Sequence, residues 1–259
     1  MTDSCATDAQ AHQARGFYSQ MIVPESFNAT GFKGAHWNTE VSSGVQFTAA
    51  RDPTLFNGVS SERLTYVSGT GSAGVSNRGL GNVGMVLEVN KDYEGLIFAS
   101  NPTSKTVPLV ASLEDYVTKQ VLATQTLNVS PGGGFHRYNF SLTPSASTRC
   151  VDVDPAAEPG ISCGQLPSGV AGQACVKCAG QFKLSMASPG SVLVNYAFLQ
   201  PGQWGRLPGL SVLKSAADLL KSMGIKAIRQ GGSFASSGSE GSRYCKRCLF
   251  DLTACNRPL

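Results

Sequence analysis

The chain has 259 residues, of which 41% are hydrophobic and 15% are charged, an ordinary composition for a folded globular protein rather than a disordered one. Its formal charge of +4 comes from 21 basic and 17 acidic side chains, which are scattered without the basic stripe that nucleic acid requires. No run of 18 apolar residues occurs, and residues 1–13 are polar. We therefore expect no nucleic-acid partner, no membrane span and no signal peptide in this chain.

Cysteines and glycosylation sequons bear on the compartment. The chain contains eight cysteines, a number that is even and high for a protein kept in a reducing cytosol. Asn28, Asn128 and Asn139 each begin an Asn-x-Ser/Thr sequon, which accepts a glycan in a secretory lumen. We therefore expect an extracellular parent protein. Because a signal peptide is missing, we also expect this chain to begin inside a longer gene product.

The first two hundred residues show the pattern of an all-β domain. Short runs of β-branched and aromatic residues are separated by Gly, Pro, Asn and Ser at the spacing typical of a β-sandwich. Nine runs predict strands, at residues 44–48, 63–67, 84–89, 95–99, 107–113, 120–124, 136–142, 181–186 and 191–199. The alternation of Tyr138, Phe140 and Leu142 with polar residues is typical of a strand with one buried face.

A stretch rich in Gly and Pro, residues 150–178, interrupts these runs. It holds Cys150, Cys163, Cys175 and Cys178, and it has too few apolar residues to become ordered by burial alone. We predict a Cys-rich insertion in the sandwich, held by a local disulfide cluster of these four cysteines. Three pairings are possible, and the sequence does not choose among them.

The pattern changes after Pro208. Residues 211–223 carry apolar side chains at helical spacing, with Ser211 as the predicted N-cap and Gly224 as the terminator. The apolar face comprises Val212, Ala216, Leu219, Leu220 and Met223. A short strand is predicted at residues 225–228, so a β/α unit begins here. Residues 235–259 show no pattern that would complete it.

Two motifs resemble cofactor or metal signatures but lack the structural context. The Gly-rich run at residues 69–74 matches a dinucleotide fingerprint, but the glycines of residues 75–84 leave no helix to face a pyrophosphate. Two Cys-x-x-Cys pairs, at residues 175–178 and 245–248, lie too far apart for a usual zinc ribbon. We predict no cofactor and no metal, with zinc bound by the four thiolates as the minority alternative.

Three parts of the chain resemble family 51 glycoside hydrolases, and they occur in the order that the family has. Residues 16–27, Gly-Phe-Tyr-Ser-Gln-Met-Ile-Val-Pro-Glu-Ser-Phe, are similar to a segment near the N-terminus of these enzymes. Residues 66–80 are similar to the Gly-Ala-Gly-Val-Ala-Asn-Arg-Gly-Phe turn of the family's inserted CenC-type carbohydrate-binding module. Residues 199–210 and 224–234 resemble the return of the chain into the catalytic barrel.

The resemblance implies the fold class and the domain map. It implies a mainly-β chain, in which a galactose-binding-like jelly-roll β-sandwich is followed by an incomplete β/α-barrel segment. Residues 1–29 would then be the start of the enzyme, 30–205 the carbohydrate-binding-type module, and 206–234 the first helix and strand of a truncated eightfold barrel. Residues 235–259 would be a divergent tail rich in Ser, Gly and Cys.

The resemblance also implies an activity for the parent enzyme. Family 51 α-L-arabinofuranosidases remove terminal arabinofuranose from polysaccharides with retention, using one glutamate as acid/base and another as nucleophile. The acid/base belongs to an Asn-Glu pair, and that dipeptide occurs nowhere in this chain. We therefore predict no catalytic residue and no hydrolysis by this chain alone. The remaining activity is binding of an arabinose-containing polysaccharide or oligosaccharide.

Candidate substrate-binding residues follow from the barrel segment. The family's Arg-x-Pro-Gly-Gly-Asn loop reads Arg229-Gln-Gly-Gly-Ser here, so Arg229, Gln230 and Ser233 would lie at the mouth of the barrel and contact sugar.

Aromatic rings are the second kind of candidate. Trp204 could offer a ring face to a sugar, as could Trp37, Tyr66 or Tyr138, with a place in the core or at a domain junction as the alternative for each. The alternative function, of a different class, is an extracellular structural or adhesive β-sandwich that binds another protein.

Overall fold

The described strands confirm the mainly-β prediction. A computed structural model describes residues 19–22, 27, 37–56, 60–79, 82–153 and 175–225. Within this part of the chain lie twelve strands and one helix. The strands are β1 (Trp37–Val41), β2 (Gln46–Asp52), β3 (Ser61–Ser68), β4 (Ala73–Asn77), β5 (Tyr93–Ser100), β6 (Val107–Asp115), β7 (Gln120–Val129), β8 (His136–Leu142), β9 (Cys150–Val153), β10 (Cys175–Cys178), β11 (Gly180–Met186) and β12 (Gly190–Pro201), and the helix is α1 (Lys214–Ser222).

Ten of these strands form two five-stranded antiparallel sheets. Sheet I has the order β1-β4-β11-β6-β7, and sheet II has the order β2-β3-β12-β5-β8. Apart from β6–β7 and β2–β3, neighbouring strands in each sheet are not consecutive in the chain, as in a β-sandwich whose strands cross between layers. β9 and β10 pair separately as a two-stranded hairpin.

The core lies between the two sheets and follows the two-residue period of the strands. In sheet I, Leu113 and Phe182 point inward and are fully buried. In sheet II, Tyr93 and Ile97 do the same. The Phe140 ring of β8 stacks on Phe182 of β11 with centroids 5.4 Å apart, so aromatic packing joins the two layers directly.

Residues 19–22 extend sheet II beyond the end of β3. The pairing of β3 with β12 ends at Val194, and from there the edge of β12 is open to another segment. The Met21 amide donates to the Leu199 carbonyl at 2.8 Å, and the Leu199 amide donates to Gln20 Oε1 at 3.0 Å. Ile22 is fully buried in the core. This part of the N-terminal segment is therefore built into the sandwich.

A disulfide closes the β9–β10 hairpin. Cys150 and Cys178 face each other in the register of the two strands and are bonded, with Cα atoms 4.0 Å apart. They belong to the four cysteines of the predicted cluster. Cys175 lies at the start of β10, and Cys163 lies outside the described residues. The full cluster stays a prediction.

The helix begins later than the sequence predicted. Its N-cap is Leu213 without a side-chain cap, rather than Ser211. The reason is a preceding turn, in which the Leu207 amide donates to the Val212 carbonyl at 2.9 Å and keeps residues 211–213 out of the helix. Gly224 follows the helix with φ of +77°, as predicted for a terminator. The predicted strand continues into residues 226–228, which lie outside the described part.

The predicted strand at residues 84–89 is wrong. Only Met85 makes a ladder contact, as an isolated bridge to Gly180. The Leu87 amide instead donates to the Thr148 hydroxyl at 2.9 Å, and the Val89 amide to the Ser147 hydroxyl at 2.9 Å. Side chains therefore satisfy backbone groups that a neighbouring strand would otherwise pair, and the segment stays irregular.

Candidate functional site

A polar groove crosses the outer face of sheet I. It has a volume of about 450 Å³ and is lined by residues 38–42 of β1 and its end, Arg78 after β4, Lys183 of β11 and Lys119 of the β6–β7 turn. The lining combines amide, hydroxyl, carboxylate and cationic groups. Charged side chains of several strands converge at this surface.

The two-residue period of the strands brings these groups together. Outward residues alternate with core residues on β1, β4, β11 and β6, so a row of polar side chains runs across four adjacent strands. The row consists of Glu40, Ser76, Gln181, Lys183, Ser112 and Glu114. Ser76 and Gln181 are fully buried although they face outward, because the longer charged side chains lie over them.

Lys183 and Gln181 join the two carboxylates of this row. The Lys183 Nζ lies 3.3 Å from Glu40 Oε2 and 3.5 Å from Glu114 Oε2. The Gln181 Nε2 donates to Glu40 Oε1 at 3.0 Å and to Glu114 Oε2 at 3.3 Å. The Ser76 hydroxyl donates to Glu40 Oε1 at 2.9 Å. The network holds its charged side chains in fixed positions beside the groove.

The electrostatics of Glu40 follow from this network. Burial raises the pKa of its carboxyl, but hydrogen bonds from Ser76 and Gln181 and the charge of Lys183 outweigh burial, so the pKa is lowered from its usual value of 4.5. Glu40 is therefore a charged acceptor at neutral pH. Its negative charge offsets part of the positive charge that Lys183, Arg78 and Lys119 give the groove wall.

Arg78 occupies a fixed position at the groove. Its guanidinium carbon lies 3.9 Å from the centroid of the Tyr116 ring, and its Nε donates to Gln181 Oε1 at 3.3 Å. Stacking on an aromatic ring orients a guanidinium and leaves N–H groups for a ligand. The groove wall can thus donate hydrogen bonds from Arg78 and accept them at Glu40.

The paired carboxylates do not form a hydrolytic site. A glycosidase places the scissile bond, and in inverting enzymes a water, between two carboxyl groups. Here the ammonium of Lys183 and the amide of Gln181 occupy the space between Glu40 and Glu114. The arrangement can bind hydroxyl groups but leaves no room for an acid/base and nucleophile pair.

The outer face of sheet II carries an aromatic cluster that the sequence did not reveal. The rings of Phe56 and Phe98 stack with centroids 4.1 Å apart. The Tyr196 ring lies 6.3 Å from Phe98, and the Phe135 ring lies 6.1 Å from Phe56. Phe56 is 49% exposed. The alternation of Phe98 with the buried Ile97 was the signal that could have located part of this surface.

The four aromatic rings predicted from the sequence lie elsewhere. The Trp204 indole donates to the Asp92 carbonyl at 2.7 Å and meets the edge of Tyr93 at 5.6 Å, so it joins the end of β12 to the β5 side of sheet II. Tyr66 is buried in the core, and Trp37 and Tyr138 are half-buried and pack against it. None lines the groove. Sugar binding by Trp204 stays a prediction.

The other predicted sites divide between described and undescribed residues. Arg229, Gln230, Ser233 and Asn28 lie outside the described residues. Asn128 and Asn139 are exposed on β7 and β8, the edge strands of the two sheets.

Two absences hold for the described ranges. No helix there is long and apolar enough to cross a membrane. No three His, Cys, Asp or Glu side chains in those ranges are grouped so that they could hold a metal ion.

The chain enters and leaves the sandwich at one place. The Ser19 amide donates to the Ser211 carbonyl at 3.1 Å, which joins the segment before the sandwich to the segment after it. Adjacent ends of this kind are common in domains and are compatible with the insertion of one domain into another.

Comparison with known proteins gives the fold but no family. No protein-family model and no curated protein matches the chain. Among solved structures, the arabinose-bound MgGH51 α-L-arabinofuranosidase is similar, with a TM-score of 0.60 and 18% sequence identity. The similarity covers 87% of this chain and 33% of that chain, so this chain spans about a third of the enzyme's length.

Carbohydrate-binding modules are also similar, at lower scores. The CBM22-1 xylan-binding domain of Paenibacillus barcinonensis Xyn10C has a TM-score of 0.41 and 10% identity, covering 68% of this chain and 91% of that chain. A family 11 carbohydrate-binding module from Clostridium thermocellum has a TM-score of 0.38 and 10% identity, covering 71% and 95%. The similarity to the arabinofuranosidase, the one of these with a TM-score above 0.5, supports a β-sandwich fold of a kind found in a glycoside hydrolase.

Proposed function

We propose that the chain is the carbohydrate-binding part of an extracellular glycoside hydrolase of the α-L-arabinofuranosidase type. In this proposal the sheet I groove binds an arabinose-containing polysaccharide. The observation that carries the proposal is the hydrogen-bonding network of Glu40, Gln181 and Lys183 beside a groove of about 450 Å³. The fold shared with the arabinose-bound arabinofuranosidase supports it.

The chemistry of the groove suits a neutral sugar. Each hydroxyl group of a sugar both donates and accepts, so it is bound best where fixed acceptors and donors alternate. Glu40 supplies a charged acceptor, whereas Arg78, Lys183 and Lys119 supply donors. Glu40 offsets one of these three positive charges, so the groove keeps a net positive charge, and a sugar would be bound through its hydroxyl groups.

The course of the chain supports a place within a larger enzyme. The contact between Ser19 and Ser211 allows a host domain to continue on either side of the sandwich. Beyond it, α1 exposes Leu219 and Met223 by 61% and 66%, an apolar face that the described residues do not cover. A β/α barrel would cover such a face with its own strands. The sugar contacts of Arg229, Gln230 and Ser233 belong to that barrel in this proposal.

The chain by itself is proposed to bind and not to hydrolyse. Retaining hydrolysis needs two carboxyl groups that flank the sugar bond, and Glu40 and Glu114 are bridged by Lys183 instead. We expect no release of arabinose from an aryl arabinofuranoside. Turnover that disappears on substitution of Glu40 or Glu114 would contradict this.

The binding experiment compares two asparagines of sheet I. Asn38 lines the groove, whereas Asn128 is exposed on β7, at the opposite edge of the same sheet. Binding to arabinoxylan is measured by affinity electrophoresis and calorimetry on protein made without glycans. We expect Asn38→Ala to weaken binding about tenfold, the effect of losing one hydrogen bond to the ligand, and Asn128→Ala to leave it unchanged.

Two results would contradict the groove as the binding site. Equal affinity of the two variants would place the polysaccharide elsewhere on the molecule. Absence of binding by a folded wild-type chain to arabinoxylan and to other plant or algal polysaccharides would favour the adhesive alternative, in which the sandwich binds a protein.

A further inference from the structure

An apolar stripe runs along the centre of the outer face of sheet II. It consists of Leu96 and Phe98 on β5 and Tyr196 and Phe198 on β12, which are half-buried and directed away from the core. Phe56 covers Phe98 in part and is itself 49% exposed. Apolar patches of this kind on a folded domain mark a surface that another group covers.

The sequon at Asn139 lies beside this stripe. Asn139 of β8 pairs in register with Leu96 of β5, and Leu96 pairs in register with Phe198 of β12. Residues directly opposite in an antiparallel sheet share one face, with Cβ atoms about 5 Å apart. The three side chains therefore form one row on the outer face. The next row contains Arg137, Phe98 and Tyr196 in the same order.

The amide of Asn139 is exposed and oriented. Arg137 Nε donates to Asn139 Oδ1 at 2.8 Å, which holds the side-chain amide at the edge of the stripe. The amide nitrogen Nδ2 is the atom that N-glycosylation modifies. Phe140, the middle residue of the sequon, is buried in the core, so the strand cannot slip and move Asn139 to the other face.

We propose that Asn139 carries an N-linked glycan whose first sugar rings lie over the apolar stripe of sheet II. Nδ2 of Asn139 forms a bond to the anomeric carbon of an oligosaccharide, the bond from that carbon to its lipid diphosphate carrier breaks, and the amide loses one proton. The C–H faces of the pyranose rings then cover Leu96 and Phe198, and their hydroxyl groups face water. The proposal rests on the extracellular location in the proposed function, but not on polysaccharide binding by the groove.

Asn128 is a matched control within the same chain. It is equally exposed on an edge strand, and it also begins a sequon. Its register partner on β6 is Pro108, and it belongs to sheet I, on the opposite side of the molecule from the aromatic cluster. A glycan at Asn128 would be solvated without covering the stripe.

The experiment uses the full chain secreted from a eukaryotic host. Glycan occupancy is mapped by mass spectrometry, and exposed apolar surface is measured by binding of an environment-sensitive fluorescent dye. We expect Asn139 to be occupied. We expect Asn139→Gln to bind severalfold more dye and to aggregate at lower concentration, whereas Asn128→Gln behaves as wild type. Adding both Phe56→Ser and Phe98→Ser to Asn139→Gln should reduce dye binding again, because both stacked rings of the surface are then removed.

Three outcomes would overturn the proposal. They are an unoccupied Asn139 in the secreted folded protein, unchanged dye binding after loss of its glycan, and dye binding that Phe56→Ser and Phe98→Ser together do not reduce. If Asn139→Gln is not secreted, the glycan is removed enzymatically from folded Asn128→Gln protein and the dye is measured directly.

Arabinoxylan binding is measured on the same glycosylated samples, so that failure of the glycan and failure of the groove are distinguished. Loss of binding in Phe56→Ser but not in Asn38→Ala would identify the stripe as a polysaccharide site and overturn both proposals.

Discussion

Two half-buried glutamates in this protein have pKa shifts of opposite direction. Burial raises the pKa of Glu40, but hydrogen bonds from Ser76 and Gln181 and the charge of Lys183 outweigh this effect and lower the pKa from 4.5. Burial also raises the pKa of Glu62, and the charge of Arg51 offsets that effect only in part. Similar exposure thus gives pKa shifts of opposite direction, because the partners of each carboxylate, and not its burial, decide whether the pKa is raised or lowered.

These directions predict opposite effects of removing the charge. The folded-state pKa of Glu40 is depressed, so its contribution to stability is present above 4.5 and is lost as the pH falls through the lowered pKa. Glu40→Gln should lower the free energy of unfolding at neutral pH by about 1 kcal/mol. It should also make the free energy of unfolding less dependent on pH below 4.5.

The matched variant Glu62→Gln tests the direction of the change in stability. The folded-state pKa of Glu62 is raised, so its contribution is present below 4.5 and is lost as the pH rises. Glu62→Gln should therefore raise the free energy of unfolding at neutral pH. Urea unfolding of both variants on each side of the ordinary carboxyl pKa measures this, and destabilisation by both at neutral pH would contradict the assignment.

At the scale of elements, the β9–β10 hairpin depends on its disulfide. The bond between Cys150 and Cys178 closes a sequence separation of 28 residues and leaves Val86 and Val176 as the small cluster around it. In the chain-entropy account, closing a loop of this length stabilises the folded state by about 3.6 kcal/mol. Replacing both cysteines by Ala should lower the free energy of unfolding by about that amount.

The control for this prediction is the reductant. Wild-type protein in dithiothreitol should fall to the stability of the double variant, whereas the variant itself should not respond. A reductant effect on the variant, or a loss much smaller than that of the reduced wild type, would show that other cysteines carry the stabilisation.

The sequence predicted most strands but not the two surfaces, and the reasons are physical. Strands such as β8 alternate between apolar and polar residues, so their period is visible. In β4 all five residues from Ala73 to Asn77 are buried on both faces, which removes the alternation. A register shift between Val194 and Tyr196 moves Tyr196 to the outer face, where a period of two would have placed it inside.

No local pattern in the sequence predicts the groove. Glu40 and Gln181 are 141 residues apart and meet only because β11 and β1 both pair with β4. Single polar residues on a strand are ordinary, and nothing in their neighbourhood marks them as partners. Trp204 was conspicuous in the sequence for its residue type, but its place is set by a hydrogen bond to Asp92. Pairing between distant strands therefore decides which side chains form a site.

At the scale of the whole molecule, the segment that enters the sandwich and the segment that leaves it are in contact. Residues 19–22 lie along β12, and Ser19 contacts Ser211, two residues before the buried Leu213. The segments on either side are thus tied together within the fold itself. A host domain can be continued through this junction without stretching the sandwich, which is the physical requirement for an inserted module.

Because these two segments are in contact, we predict that the order of the strands along the chain can be changed. A circular permutant would join Leu213 to Ser19 through a linker of about four residues, enough to bridge neighbouring backbones. Its new ends would lie in the exposed turn at residues 132–134, which follows the bridge between Asn101 and Pro131 and where Gly132 and Gly133 adjoin open space. We expect the same circular dichroism as the linear chain of residues 19–213 and a melting temperature within a few degrees of it, because each strand keeps its neighbours.

A second permutant opened within β5, the strand between β12 and β8, should fail to fold, since the break would fall in the central part of sheet II. If instead the first permutant is unfolded while the linear chain folds, the contact between Ser19 and Ser211 is a consequence of the unbroken chain and does not mark an inserted domain.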